Sequence, residues 1–144
     1  MNEDPAAPWS SRMPRSYHAL FSQAVFRGDP LPEDWPADFI IITAYDPEGR
    51  SVSPATNAAA DQALALELRG AGHRLHRISG ESPDGRHREP GWALAIGLSE
   101  AIKYGRKYRQ LGVFQIRAGR LFLVDCGDGS ATALDRAFSV ARAF

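Results

Sequence analysis

At 144 residues the chain has the length of one domain and can bury roughly 70% of the surface its unfolded form exposes, so its core needs no disulfide or metal staple. Seventeen Lys and Arg balance seventeen Asp and Glu, which excludes whole-molecule attraction to nucleic acid or to an anionic membrane. The single cysteine, Cys126, excludes an internal disulfide. Asn2-Glu3-Asp4-Pro5 after Met1 is no secretory leader, and the longest apolar runs, Phe39–Ile42 and Trp92–Ile96, fall far short of the roughly 20 residues of a membrane span. The expectation is a soluble cytoplasmic protein without membrane association.

Residues 1–14, broken by Pro5, Pro8 and Pro14, read as a flexible tail ahead of one domain over 15–144. Tyr17, Leu20, Phe21, Ala24 and Val25 recur at helical spacing behind Ser16, and Gly28-Asp29-Pro30 stops the run. Phe39 to Tyr45 is apolar on both faces and β-branched, as a central strand requires. Ser53-Pro54 caps and starts a helix with the stripe Ala60, Leu64, Leu68 and Ala71, ended by Gly70 and Gly72. His73–Ser79 reads as a more polar edge strand, and Gly80–Pro90 as a loop. In the next strand Trp92, Leu94, Ile96 and Leu98 alternate with small residues, which leaves the small face for close helix approach.

Ser99-Glu100 then starts a helix with Ala101, Tyr104, Tyr108 and Leu111 on one side and basic residues on the other. Ala118-Gly119 is a two-residue hairpin turn whose register pairs Phe114 with Leu123 and Ile116 with Leu121. Leu134, Phe138 and Ala141 suggest a closing helix after Gly127-Asp128-Gly129-Ser130. The order β, α, β, β, α, β is that of a two-layer α/β (α+β) fold of the split βαβ, ferredoxin-like kind. Added to it are a C-terminal hairpin strand and flanking N- and C-terminal helices.

The motifs Thr43-Ala44-Tyr45-Asp46-Pro47, Asn57, Gly80, Glu89-Pro90, Tyr104-Gly105-Arg106-Lys107-Tyr108-Arg109-Gln110 and Val113-Phe114 resemble, over about residues 38–126, the small bacterial family catalogued as domain of unknown function 3293. This chain departs from that pattern at Asp46, where the family tends to have Asn, and at Arg109, where Gly is usual. The resemblance implies a compact bacterial α/β domain and no particular reaction, so function rests on the site.

Chain direction in such a fold gathers Tyr45, Asp46, Asn57, Glu81, Asp84, His87, Glu89, Arg109, Gln110 and Asp128 at one end of the sheet, with Asn57, Glu81, Glu89 and Gln110 as the centre. The loop Glu81–Glu89 packs three carboxylates, a histidine and two arginines into nine residues, enough for acid/base work or a metal, and equally what a solvated hairpin loop carries. His73, His76, His87 and Cys126 form no CxxC pair and no HExxH helix, so no metal and no cofactor is expected.

The leading reading is a binding or regulatory module for a small polar ligand or a protein partner. A hydrolase-type enzyme working through Glu81, Asp84 or Glu89, with Asn57 and Arg109 or Gln110 orienting an anionic substrate, is the alternative. Nucleic-acid binding through Lys103, Arg106, Lys107 and Arg109 is the third. The sequence leaves open whether the protein is an enzyme, and also its oligomeric state.

Overall fold

The computed structural model describes residues 13–142; most of the expected tail, with Trp9, lies outside the described residues. The elements are α1 (Arg15–Ser22), β1 (Val25–Arg27), β2 (Phe39–Thr43), α2 (Pro54–Gly70), β3 (His76–Glu81), β4 (Arg88–Leu94), α3 (Leu98–Lys107), β5 (Gly112–Arg117), β6 (Arg120–Asp125), β7 (Ala131–Ala137) and β8 (Val140–Ala141), with a 3-10 turn at Pro47–Gly49. The strands form one sheet in the order β7-β6-β5-β2-β4-β3-β1-β8, antiparallel throughout except for the β1–β8 pair. The architecture is mixed α and β.

Local chemistry accounts for the best-defined elements. The Ser53 side chain accepts from the Thr56 N–H and Pro54 occupies the first turn of α2, satisfying one amide where another is absent by nature. Ala118 and Gly119 adopt φ of 48° and 78°, the left-handed pair a two-residue hairpin demands, and β5 meets β6 with Phe114 opposite Leu123 and Ile116 opposite Leu121. Strand β2 lies at the sheet centre, flanked by β4 and β5. Its Ile40 and Ile42 face α2 and α3 together with Leu64, Leu68, Leu94, Ala101, Val113 and Val124. Phe39 and Ile41 point to the other face, among Phe26, Ile78, Ala93, Ile116 and Leu121.

That second face is the inside of a curl. The edge strands β7 and β8 are joined by Phe138 and Ser139 alone, so their ends lie within about 11 Å of each other. A flat sheet of this width would separate its edges by roughly 34 Å at about 4.8 Å per strand. Consistently, the rings of Phe26 in β1 and Phe114 in β5 meet edge-on with centroids 4.9 Å apart, although three strands intervene. Helix α1 covers part of the mouth, with Tyr17 and Phe21 packed on Met13, Leu111 and Leu123.

Several expectations are corrected. The closing helix is absent: Leu134 lies in β7, Phe138 in the connection, and Ala141 in β8. Val25 belongs to a short strand rather than to α1, which starts from Pro14 without a side-chain cap from Ser16. Strand β3 is internal, between β4 and β1, because β1 covers what would have been its free edge. Strand β4 begins at Arg88 and ends at Leu94, so Ile96 lies beyond it, Leu98 opens α3, and the loop shortens to 82–87. Its large residues Trp92 and Leu94 face the helices, while Ala93 faces the aromatic interior, the reverse of the expected assignment. Helix α3 starts behind Gly97 rather than at a Ser99 cap. Met13, expected in the tail, is buried and its N–H donates to Asp125 at 2.7 Å.

Candidate functional site

Three glycines, Gly80, Gly91 and Gly112, come level on the inner face. Gly91 stands opposite Thr43, and the pairing of Ile41 with Phe114 carries Gly112 to the other side of Thr43; Gly80 faces Glu89 on the next strand pair. Together they line a small recess of about 30 Å³ walled by Phe21, Phe26, Ile41, Phe114 and Leu123. Its polar lining is Thr43, Glu89 and Gln110, and the neighbouring hollow under α1 adds His87 and Glu81.

The polar rim is held by a network drawn from distant segments. The Thr43 hydroxyl donates to Pro90 O at 2.7 Å and accepts from the Tyr45 N–H at 3.0 Å. Gln110, buried, donates through Nε2 to the carbonyls of Tyr45 and Tyr108 at 3.1 and 3.2 Å. Asn57, also buried, makes a reciprocal pair with Asp46, its Oδ1 accepting from the Asp46 N–H and its Nδ2 donating to Asp46 Oδ1, both at 2.9 Å. Asp46 in turn stands with His87 and Glu89 so that one ligand-type atom from each lies within 4.8 Å of the others. His87 and Glu89 are two residues apart at the start of an extended strand, so both side chains fall on one side.

Burial raises the Glu89 pKa, against the opposing pull of the neighbouring His87, while hydrogen bonding to the Glu89 carboxylate is the main influence raising that of His87. The imidazole–carboxylate pair, 3.5 Å apart, therefore keeps its shared proton to higher pH than the separate groups would.

Backbone conformation marks the same end of the sheet. Asp46, Glu48 and Arg109 have φ of 46°, 59° and 57°, the left-handed region that Gly and Asn tolerate best. Asp46 and Arg109 thus stand where the chain turns left-handed. Arg109 is compensated by an ion pair with Glu48 at 2.9 Å, which holds the Glu48 carboxyl below its ordinary range. Arg109→Gly is expected to raise the unfolding free energy by about 1 kcal/mol. A left-handed residue with a Cβ costs roughly 1–2 kcal/mol and an exposed ion pair contributes only about 0–1 kcal/mol. A higher urea midpoint would bear this out; a lower one would show that the Glu48 pair dominates.

Of the residues expected to gather, Tyr45, Asp46, Asn57, His87, Glu89 and Gln110 are joined in this network. Glu81 stands beside it at the end of β3, drawn toward Arg27 and Arg88 at 3.5 and 3.8 Å. Asp84 sits at the exposed hairpin tip, where it accepts from the Ser82 hydroxyl and the Arg86 N–H. Arg109 points outward to Glu48, and Asp128 binds the Ser130 N–H and hydroxyl in the 127–130 turn. The glycine floor went unread because its members are 32 positions apart in sequence and only strand register brings them level.

Residues 42–113, half of the chain, match the model of the family described as Protein of unknown function (DUF3293). The chain is a member of DUF3293. The matched segment runs from β2 to the start of β5 and so contains the whole rim network, including Asp46, Asn57, His87, Glu89 and Gln110. It also includes the Gly105 of the Tyr104–Gln110 motif, where an added Cβ would stand 2.6 Å from Cys126 Sγ; glycine lets α3 lie directly on Cys126, just past the end of β6. The Cys126 thiol, fully buried there, is pushed by burial up to about 12, far from the thiolate a nucleophile needs. No curated protein and no solved structure matches this DUF3293 chain. Among the described residues no helix is long and apolar enough to cross a membrane.

Proposed function

We propose that the protein is a binding module for a small molecule, with an apolar or aromatic body in the glycine-floored recess and a polar head at the Glu89–Gln110 rim. The observation that carries this reading is the recess itself: aromatic walls, a floor without side chains, and a few convergent polar groups, the usual make-up of a ligand site. The Gln110 amide nitrogen is committed to two backbone carbonyls, so its oxygen is what it offers a ligand. The order β5-β2-β4-β3 of the inner strands, with α2 and α3 on one face, supports reading the centre of the molecule as a split βαβ, ferredoxin-like unit onto which β1, β6, β7 and β8 are added.

The other readings draw less support. Asp84 is tied into a turn, and the basic face of α3 is partly occupied: Lys107 pairs with Glu67, and Arg106 donates to the carbonyls of Cys126 and Gly127.

Ligand-observed NMR with a panel of indole and benzyl amines, alcohols and carboxylates tests the proposal. A Cβ at Gly80 would stand 3.9 Å from Phe26, an ordinary contact, so Gly80→Leu should fold and fill the recess. Binding by the wild type that weakens at least about tenfold in Gly80→Leu is expected. Equal binding to both, or none to the wild type at millimolar concentration, would overturn it.

A further inference from the structure

We propose that Asp46, His87 and Glu89 form a site for a first-row divalent cation, open on the side of the recess. The inference stands on these three side chains and holds whether or not the recess takes an organic ligand.

The first ground is geometry. In a tetrahedral or octahedral shell with bonds of about 2.1 Å, neighbouring donor atoms lie roughly 3.0–3.4 Å apart. His87 Nε2 and Glu89 Oε1 are already 3.5 Å apart, and the donors of all three residues fall within 4.8 Å. The supports are in place: Asn57 grips Asp46 through both its carboxylate and its N–H, the outer-shell hydrogen bonding that orients metal ligands, and the start of β4 fixes His87 and Glu89.

The second ground is charge. Glu89 is nearly enclosed, with 13% of its side chain exposed, and a buried carboxylate requires a partner. His87 stands 3.5 Å from it, and the Asp46 carboxylate lies in the same cluster. Asp46 repels it, so two carboxylates depend on one imidazole. Arg88, next to Glu89 in sequence, is directed to Glu81. A dication would balance both carboxylates and leave the imidazole as a neutral ligand.

The donor set selects the ion. Calcium takes six to eight oxygens and magnesium keeps most of its water, whereas one imidazole with two carboxylates suits the series from Mn²⁺ to Zn²⁺. Three protein ligands leave at least one position for water or a ligand atom, and His87 and Glu89 both line the hollow under α1. The residues lie at positions 46, 87 and 89, a spacing outside the compact metal motifs, with only His87-x-Glu89 on one strand side as a local sign.

Calorimetric titration of the tag-free, chelator-treated full chain with Mn²⁺, Co²⁺ and Zn²⁺ tests this, with the Co²⁺ absorption spectrum as a second readout. One equivalent is expected to bind, with affinity reduced at least about tenfold by Asp46→Asn and by His87→Gln, and unchanged by Asp84→Asn. Asn at 46 tolerates the left-handed backbone and can still pair with Asn57, and position 87 borders a loop, so both variants should fold; a single cooperative urea transition in each verifies it. Absence of a one-equivalent site in the wild type, equal affinity in the variants, or an equal loss in Asp84→Asn would overturn the inference. Because the probe is the metal alone, none of these outcomes bears on the Gly80→Leu experiment.

Discussion

Leu64→Ala is expected to lower the unfolding free energy by about 2–5 kcal/mol, the range for truncating a large aliphatic side chain in a packed interior. Leu64 is fully buried on the inward side of α2, against Ile40, Ile42 and Leu94 of the two central strands. No element there is free to close the gap, since α2 also rests on Leu68 four residues on, and the strands are pinned by neighbours on both sides. Lys103→Ala, on the exposed side of α3, should change stability by about 0.5 kcal/mol or less. Urea unfolding followed by circular dichroism separates the two, and similar midpoints would mean that α2 does not seal the sheet.

The second large effect is expected at Gly91. A Cβ there would stand 2.6 Å from the carbonyl oxygen of Ile42 and 3.2 Å from its carbon. The obstacle is backbone in the adjoining central strand, which no rotamer change can move aside. Gly91→Ala should cost at least about 1–3 kcal/mol, as overpacking does, and should disturb the β2–β4 pairing that sets the floor of the recess. Gly70→Ala is the matched comparison: nothing lies within 4 Å of its Cβ, and in the last turn of α2 the substitution should be neutral or stabilising by up to about 1 kcal/mol. If both glycines tolerated alanine equally, β4 would be able to slide against β2, and the register would not define the recess.

What the sequence made legible was whatever local chemistry decides. The β-branched run of β2, the Ser53-Pro54 start of α2 and the Ala118-Gly119 turn each specify their conformation without help from distant residues, and the hairpin turn carried its register with it. The outer strands are another matter. Leu134, Phe138 and Ala141 stand at helical spacing, and Ala131–Ala137 carries little β-branched or aromatic character. Its extended form comes from pairing with β6, a tertiary demand that overrides a weak local preference. Strand β1 is three residues long and continues the apolar pattern of α1, so no local signal separates them.

The site was legible to the same degree. Chain direction was enough to bring Asn57, Glu89 and Gln110 to one end of the sheet. The partnership of Asp46 with His87 depends on a left-handed turn that only the backbone reveals, and Asp84, equally acidic in sequence, is consumed by its own loop.

The two-residue link between the sheet edges bears on how the molecule assembles and breathes. The Arg136 bond that fastens β7 to Ser22 joins positions 114 apart, and closing a chain loop of that size costs roughly 4 kcal/mol in entropy. The parallel β1–β8 pair adds just two registered positions in return. Such a seam is expected to show the weakest amide protection of the sheet in native-state hydrogen exchange. Arg136 also grips the Ala24 carbonyl, so fraying frees the α1–β1 corner, where Phe21 and Phe26 wall the recess. The part of the recess wall most readily exposed to solvent is therefore this seam.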